Sequence, residues 1–333
     1  MATAYVTKGL PPPPDVSLTT KPMAGLLVDI YGLAELASSS TPLTCLWLLH
    51  PRTQTRAHMG DFARRAVHAW NSSPSPSPAR GLIALAFDMP CHGSRAAGEA
   101  ATLAWGEGNA QHALDMAAMV RGGVRDMGAV MDLVGGYLGR RVEAHVCLGW
   151  SLGGHAAWQA LFHEARIDAA VAVVGCPDYM GLMSDRGRES NLDLEGAPFF
   201  GSRYFPQDLV ELCLRNDPKA MLFGAGDVAA PASEEEAARL RGVLDARVRG
   251  KKLLLCFGAR DRLVPYENSR PLVDLLKDAC AAGGWYADAG LAVTDKVYEG
   301  VGHRFSGDMV EDAVAFLMER VREGPRGDVK ARI

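Results

Sequence analysis

Seven runs of strand length punctuate this chain: GLLVDIYGL (25–33), LTCLWLLH (43–50), GLIALAFDM (81–89), VEAHVCLGW (142–150), DAAVAVVGC (168–176), KKLLLCFGA (251–259) and LAVTDKVYE (291–299). From residue 81 onward most are continuously apolar rather than alternating. A strand reads that way when both of its faces are covered, as in a parallel sheet under helices. Between the runs, helical patterns lie near 57–70, 111–138, 152–165, 233–247, 268–282 and 307–322. The strand-and-helix order predicts an α/β fold with a mainly parallel, helix-covered sheet.

The breaks divide the chain further. Pro11 to Pro14 form a stiff polyproline-type stretch, so residues 1–22 are expected to be an N-terminal arm. NSSPSPSP (71–78) reads as a loop, and 326–333 as a tail. The core is expected over 23–176 and 233–325. The intervening 177–232 carries Pro, Gly, charges and the aromatics Phe199, Phe200, Tyr204 and Phe205. It is too long for a plain connection and reads as a cap over the sheet's carboxyl edge, helical around Gln207 to Arg215. In the pattern at 111–138, Gly122-Gly123 is a candidate kink.

One stretch carries chemistry: AHVCLGWSLGGHAAW, residues 144–158. A buried strand runs into Gly149-Trp150-Ser151-Leu152-Gly153, and a helix follows. A sharp corner there brings the residues two before and two after the serine together, which only small side chains tolerate. The hydroxyl of Ser151 then stands above the sheet edge, beside the N–H of Leu152 at the helix start. A serine needs a base within reach, and that base needs an orienting carboxylate. Asp261, in GARDRLVP, and His303, in GVGHRF, each follow a later strand and supply both.

With Ser151, Asp261 and His303 in that chain order, the sequence over residues 25–322 resembles the α/β-hydrolase family, serine esterase-like members in particular. FDMPCHGSR (87–95) is similar to a family segment in which the residues at Asp88 and His92 are structural. The resemblance also implies a second oxyanion donor after LWLLHPRTQ, where members often have His-Gly. Here His50-Pro51 intervenes, and proline has no N–H, so Arg52, or else Thr53, is the expected donor. The cap opening VVGCPDYMGLMSDRGRES looks like that of small-molecule esterases near the dienelactone hydrolases and prolyl oligopeptidases. Trp150, His50, Tyr179 and Met183 are the expected substrate contacts. The implied activity is serine hydrolysis of a small ester, lactone or thioester. The same triad also serves C–C hydrolases, lyases and isomerases, and the fold also carries non-catalytic binders, which an intact triad argues against.

Other classes find no support in the residues. A net charge of -4 does not suggest nucleic acid or an anionic membrane as partner. No P-loop, strand-linked G-x-G-x-x-G, H-E-x-x-H or C-x-x-C occurs, so no metal or cofactor is expected. The 7 cysteines are dispersed, with Cys45, Cys147, Cys176 and Cys256 in apolar runs. They read as buried thiols of a reducing compartment. The N-terminus lacks a secretory layout, and a cytoplasmic protein is expected. The final Ala331-Arg332-Ile333 loosely resembles a peroxisomal address and keeps that compartment as an alternative.

Overall fold

A computed structural model describes residues 5–36, 41–73, 80–98 and 100–326. Most of the Ser/Pro loop and nearly all of the C-terminal tail, Ala331-Arg332-Ile333 included, lie outside the described residues. In chain order the elements are β1 (Leu18–Met23), β2 (Leu26–Tyr31), β3 (Leu43–Leu49), α1 (Gly60–Asn71), β4 (Gly81–Phe87), α2 (His112–Met131), α3 (Val134–Leu138), β5 (Val142–Trp150) and α4 (Leu152–His163). There follow β6 (Ile167–Val173), α5 (Tyr179–Glu189), α6 (Gln207–Asn216), α7 (Pro218–Phe223), α8 (Glu234–Arg247), β7 (Lys252–Gly258), α9 (Arg270–Cys280), β8 (Ala292–Tyr298) and α10 (Gly307–Glu323).

Among the described residues the strands form one eight-stranded sheet in the order β1-β2-β4-β3-β5-β6-β7-β8. β1 and β2 are antiparallel to their neighbours, and the other pairings are parallel. Side chains alternate between two cores because successive strand residues point to opposite faces. Cys45, Trp47 and Leu49 of β3 pack with α2, α4, α8 and α9. Leu46 and Leu48 pack on the other side, with Phe62 and Ala66 of α1 and Val310 and Leu317 of α10. Both faces of β3, β4 and β6 are therefore buried almost throughout, which is why these strands carry no polar alternation. No helix of the described residues is long and apolar enough to cross a membrane.

Two expectations need correction. The arm does not run to residue 22, because LTTKPM forms β1, paired along its whole length with β2. Its side chains are largely exposed, so no apolar run marks it, and Pro22 is tolerated because this is an edge strand. The residues before it are docked rather than free: Thr7 Oγ1 donates to Asp61 Oδ2 at 2.6 Å, and the Tyr5 ring lies 4.0 Å from that of His58. The second correction concerns Gly122-Gly123, where α2 runs on without a break and ends at Met131 instead. A Cβ on either glycine would come within 2.7 Å of Pro90 or Met89, so the pair allows close packing of α2 on the segment that follows β4.

Candidate active site

The corner at Ser151 is enforced by contact distances. A Cβ on Gly149 would lie 1.8 Å from the Gly153 carbonyl oxygen, and one on Gly153 would lie 1.9 Å from that of Leu49. Ser151 itself has φ 55° and ψ -111°, a region that non-glycine residues avoid. Its N–H donates to the Val173 carbonyl at 2.9 Å, which fixes the corner against β6. Leu152 follows as the first residue of α4, with its side chain in the core. The first N–H groups of a helix have no partner inside it, so the Leu152 N–H is free to bind an anion.

The sheet brings the other two residues to the same edge. Ser151 Oγ lies 2.7 Å from His303 Nε2, and His303 Nδ1 lies 2.8 Å from Asp261 Oδ2. A carboxylate only accepts, so Nδ1 carries the proton, and Nε2 is left to accept from the serine hydroxyl. The other Asp261 oxygen accepts from the N–H groups of Leu263 at 2.9 Å and Val264 at 3.0 Å. These bonds fix the carboxylate's orientation. The loops holding Asp261 and His303 are joined directly, since the Arg260 N–H donates to the Val301 carbonyl at 2.8 Å.

The loop after β3 forms a turn in which the Gln54 N–H donates to the Pro51 carbonyl at 3.2 Å. Thr53 sits in it at φ 65°, an uncommon conformation for a β-branched residue. The Thr53 N–H donates to His92 Nε2 at 3.0 Å, and His92 Nδ1 donates to the Pro90 carbonyl at 2.8 Å. The Arg52 N–H has no partner among the described residues. Asp88 accepts from the backbone N–H groups of Arg56 and Ser94, both at 2.9 Å, and binds the Arg56 guanidinium. Asp88 and His92 thus brace the turn from behind.

Ser151 and His303 open on a cavity of about 410 Å³. Its walls include Arg52, Gln54, Trp105, His112, Trp150, His155, Arg186 and Leu263. Trp150 is the one of the four expected substrate contacts that lines it; the other three are corrected. His50 is fully buried: the Met89 N–H donates to its Nε2 at 2.9 Å, and its Nδ1 donates to the Pro51 carbonyl at 2.8 Å. It ties two strand ends together and is held neutral, since burial drives its pKa down to about 4. Tyr179 is buried in the core and donates its O–H to the Ala113 carbonyl at 2.6 Å. Met183 is fully buried on the inner side of α5.

Two wall residues, Arg186 and His155, carry no sequence signal that places them at a cavity, whereas His112 lies in the long helical pattern as a residue able to approach it. Arg186 is one turn from Met183 on α5, but only the packing of that helix decides which of them meets the cavity. His155 is one turn beyond Ser151 on α4, a spacing that puts two residues on one helix face. The Cys176 N–H donates to its Nδ1 at 2.9 Å, and burial pushes its pKa to about 4. His112 is lowered to about 4 as well, by burial and then by the charges of Arg186 and Arg52.

Comparisons with known proteins agree with this architecture. The alpha/beta hydrolase family profile matches residues 37–317. No curated protein matches the chain. Among solved structures, TT1662 from Thermus thermophilus is similar at 18% identity and a TM-score of 0.56, covering 92% of this chain and 98% of that one. The Pyrococcus furiosus esterase PF2001 is similar at 17% identity and a TM-score of 0.50, covering 94% and 92%. A prolyl endopeptidase is similar at 13% identity and a TM-score of 0.53, over 92% of this chain but 38% of its own. At such identities the structural likeness speaks for the fold alone. Fold, strand order and profile together make this chain a member of the alpha/beta hydrolase family.

Proposed function

We propose that the protein is a serine hydrolase that cleaves a small ester, lactone or thioester through an acyl-enzyme. The observation that carries this reading is the unbroken relay from Ser151 Oγ through His303 to Asp261, with bonds of 2.7 and 2.8 Å, at the floor of a cavity. His303 Nε2 takes the hydroxyl proton as Ser151 Oγ attacks the carbonyl carbon. The Asp261 carboxylate holds the imidazole's orientation and stabilises the imidazolium that forms. The carbonyl oxygen, now an anion, is received by the N–H groups of Leu152 and Arg52. Thr53 is the weaker candidate for the second donor, because its N–H is already engaged by His92.

Collapse of the tetrahedral adduct expels the alcohol or thiol, which takes the proton from His303. Water then attacks the acyl-enzyme with His303 again as base, and the acid leaves. The segment 177–232 acts as the cap in this reading through α5 and its C-terminal end, since Arg186, Glu189 and Ser190 form part of the cavity wall. The cavity volume of about 410 Å³ fits a small or medium acyl substrate.

Initial rates on short 4-nitrophenyl esters, for wild type and Ser151→Ala, test the reading. Removal of the nucleophile is expected to lower kcat by roughly 10³-fold or more. Wild-type turnover by the alanine variant would remove Ser151 from the mechanism.

A further inference from the structure

Three arginines line the Ser151 cavity without an ion pair among the described residues; Arg262 is exposed, whereas Arg52 and Arg186 are partly buried. Arg52 Nη1 donates to the Thr102 carbonyl, and Arg186 Nη2 donates to the Leu263 carbonyl at 2.8 Å. Arg186 Nε is buried and makes no hydrogen bond. Among the described residues neither arginine has an acid within ion-pair distance. Some partly buried arginines elsewhere in the fold are matched, Arg56 by Asp29 and Asp88, Arg65 by Asp61, and Arg326 by Asp168, whereas Arg64, Arg121 and Arg247 form no ion pair among the described residues. What sets Arg52 and Arg186 apart is their place, since both line the cavity that holds Ser151.

The rest of the lining does not neutralise this charge. Glu189 is the acid among the lining residues described, and it is exposed at the rim and forms no ion pair with Arg186. Glu107 acts on Arg52 only from a distance, and its own carboxylate caps the Ala104 N–H at 2.6 Å. The imidazoles of His58, His112 and His155 all have lowered pKa values, burial being the main cause, so they add no positive charge near neutral pH. Arg52 and Arg186 are near enough that the charge of the first lowers the pKa of the second, after burial, and the Asp261 carboxylate, which forms no ion pair with Arg186, offsets this in part from a distance. Partly desolvated like charges without a counter-ion are unfavourable, and an entering anion relieves both penalties. Guanidinium geometry suits a carboxylate.

We propose that Arg52 and Arg186 form an anion subsite beside Ser151, and that the substrate is a carboxylate-bearing acyl compound: a half-ester, lactone or thioester of a dicarboxylic acid. The substrate class rests on the serine hydrolase reading, whereas the anion subsite does not need it.

The test compares 4-nitrophenyl hemiglutarate with 4-nitrophenyl valerate, which match in chain length and differ in the terminal carboxylate. Wild type is expected to favour the hemiglutarate in kcat/KM by about tenfold or more, mainly through KM. In Arg186→Met that ratio is expected to fall toward one, and in Arg186→Lys to recover in part. A ratio of two rates on one preparation does not depend on how much of a variant has folded. In parallel, glutarate is titrated into Ser151→Ala, with and without Arg186→Met, and followed by the fluorescence of the cavity tryptophans Trp105 and Trp150. Saturable binding that needs Arg186 supports the subsite even if neither ester is cleaved, in which case the hydrolase reading alone fails. Ser151-dependent cleavage of both esters at equal efficiency, with no glutarate binding, overturns the subsite and leaves the hydrolase reading standing.

Discussion

The Thr53 N–H donates to His92 Nε2 at 3.0 Å, and this single bond from the turn after β3 to the loop after β4 leaves Arg52 as the residue with an open N–H. In the proposed mechanism His92 is therefore a positioning residue for the oxyanion donor. His92→Ala is expected to lower kcat about 10- to 100-fold, a part of what a full donor is worth, with little change in KM. His92→Gln, whose side-chain oxygen can accept from Thr53, is expected to lose less. Equal losses in kcat and in thermal stability for both variants would indicate a purely structural role.

Asp261→Asn is expected to fold and to be nearly inactive. The asparagine oxygen can still accept from the Leu263 and Val264 N–H groups. Its amide then faces His303 Nδ1 as a donor, which forces the proton onto Nε2, where it cannot accept from Ser151. The comparable change in another triad costs roughly 10⁴-fold in kcat. Steady-state rates beside a thermal melt check this, and a loss below tenfold would mean that Asp261 does not orient the base.

Gly149→Ala is expected to fail as a fold rather than as a catalyst. The added Cβ would meet the Gly153 carbonyl oxygen at 1.8 Å, and both atoms belong to fixed backbone. Separating them moves β5 or α4, with a cost of about 4 kcal/mol or more. Urea denaturation measures it, and a variant as stable as wild type would mean that the corner is wider than described.

Buried histidines make stability fall with acid. His50, His145 and His155 are buried, and burial lowers each pKa from 6.5 to about 4. Between these values the unfolded chain binds more protons than the folded one. Stability is therefore fully present above about pH 6.5 and is lost as pH falls toward 4. The loss is up to about 1.4 kcal/mol per pH unit for each histidine. Urea midpoints at pH 7 and pH 5 test it: the midpoint is expected to drop, and to drop less in His155→Gln. Equal midpoints at both pH values would contradict the account.

Much of this site was legible because it is written at strand ends. Ser151, Asp261 and His303 each follow an apolar run, and a parallel sheet delivers such positions to one edge. The glycines on either side of Ser151 announce the corner through the space they leave. β1 was not legible, because an exposed antiparallel edge strand needs no apolar run. Of the four expected substrate contacts only Trp150, which adjoins Ser151, lies in the cavity wall. Whether Met183 or Arg186 of α5 meets the cavity depends on how that helix packs on α6 and against Ala113 of α2, and one helix's pattern does not encode that. His50 was misread for a related reason. Its place at the end of β3 suggested contact with substrate, but its ring turns inward to the Met89 N–H.

The most direct test of the central claim is covalent labelling by an alkyl fluorophosphonate, read by intact mass and peptide mapping on wild type and Ser151→Ala. Because His303 Nε2 stands 2.7 Å from Ser151 Oγ, the account predicts one adduct per chain, on the peptide carrying Ser151, and none on the alanine variant. A folded wild-type protein that takes up no label, or takes it equally in both proteins, would contradict an activated serine at this corner.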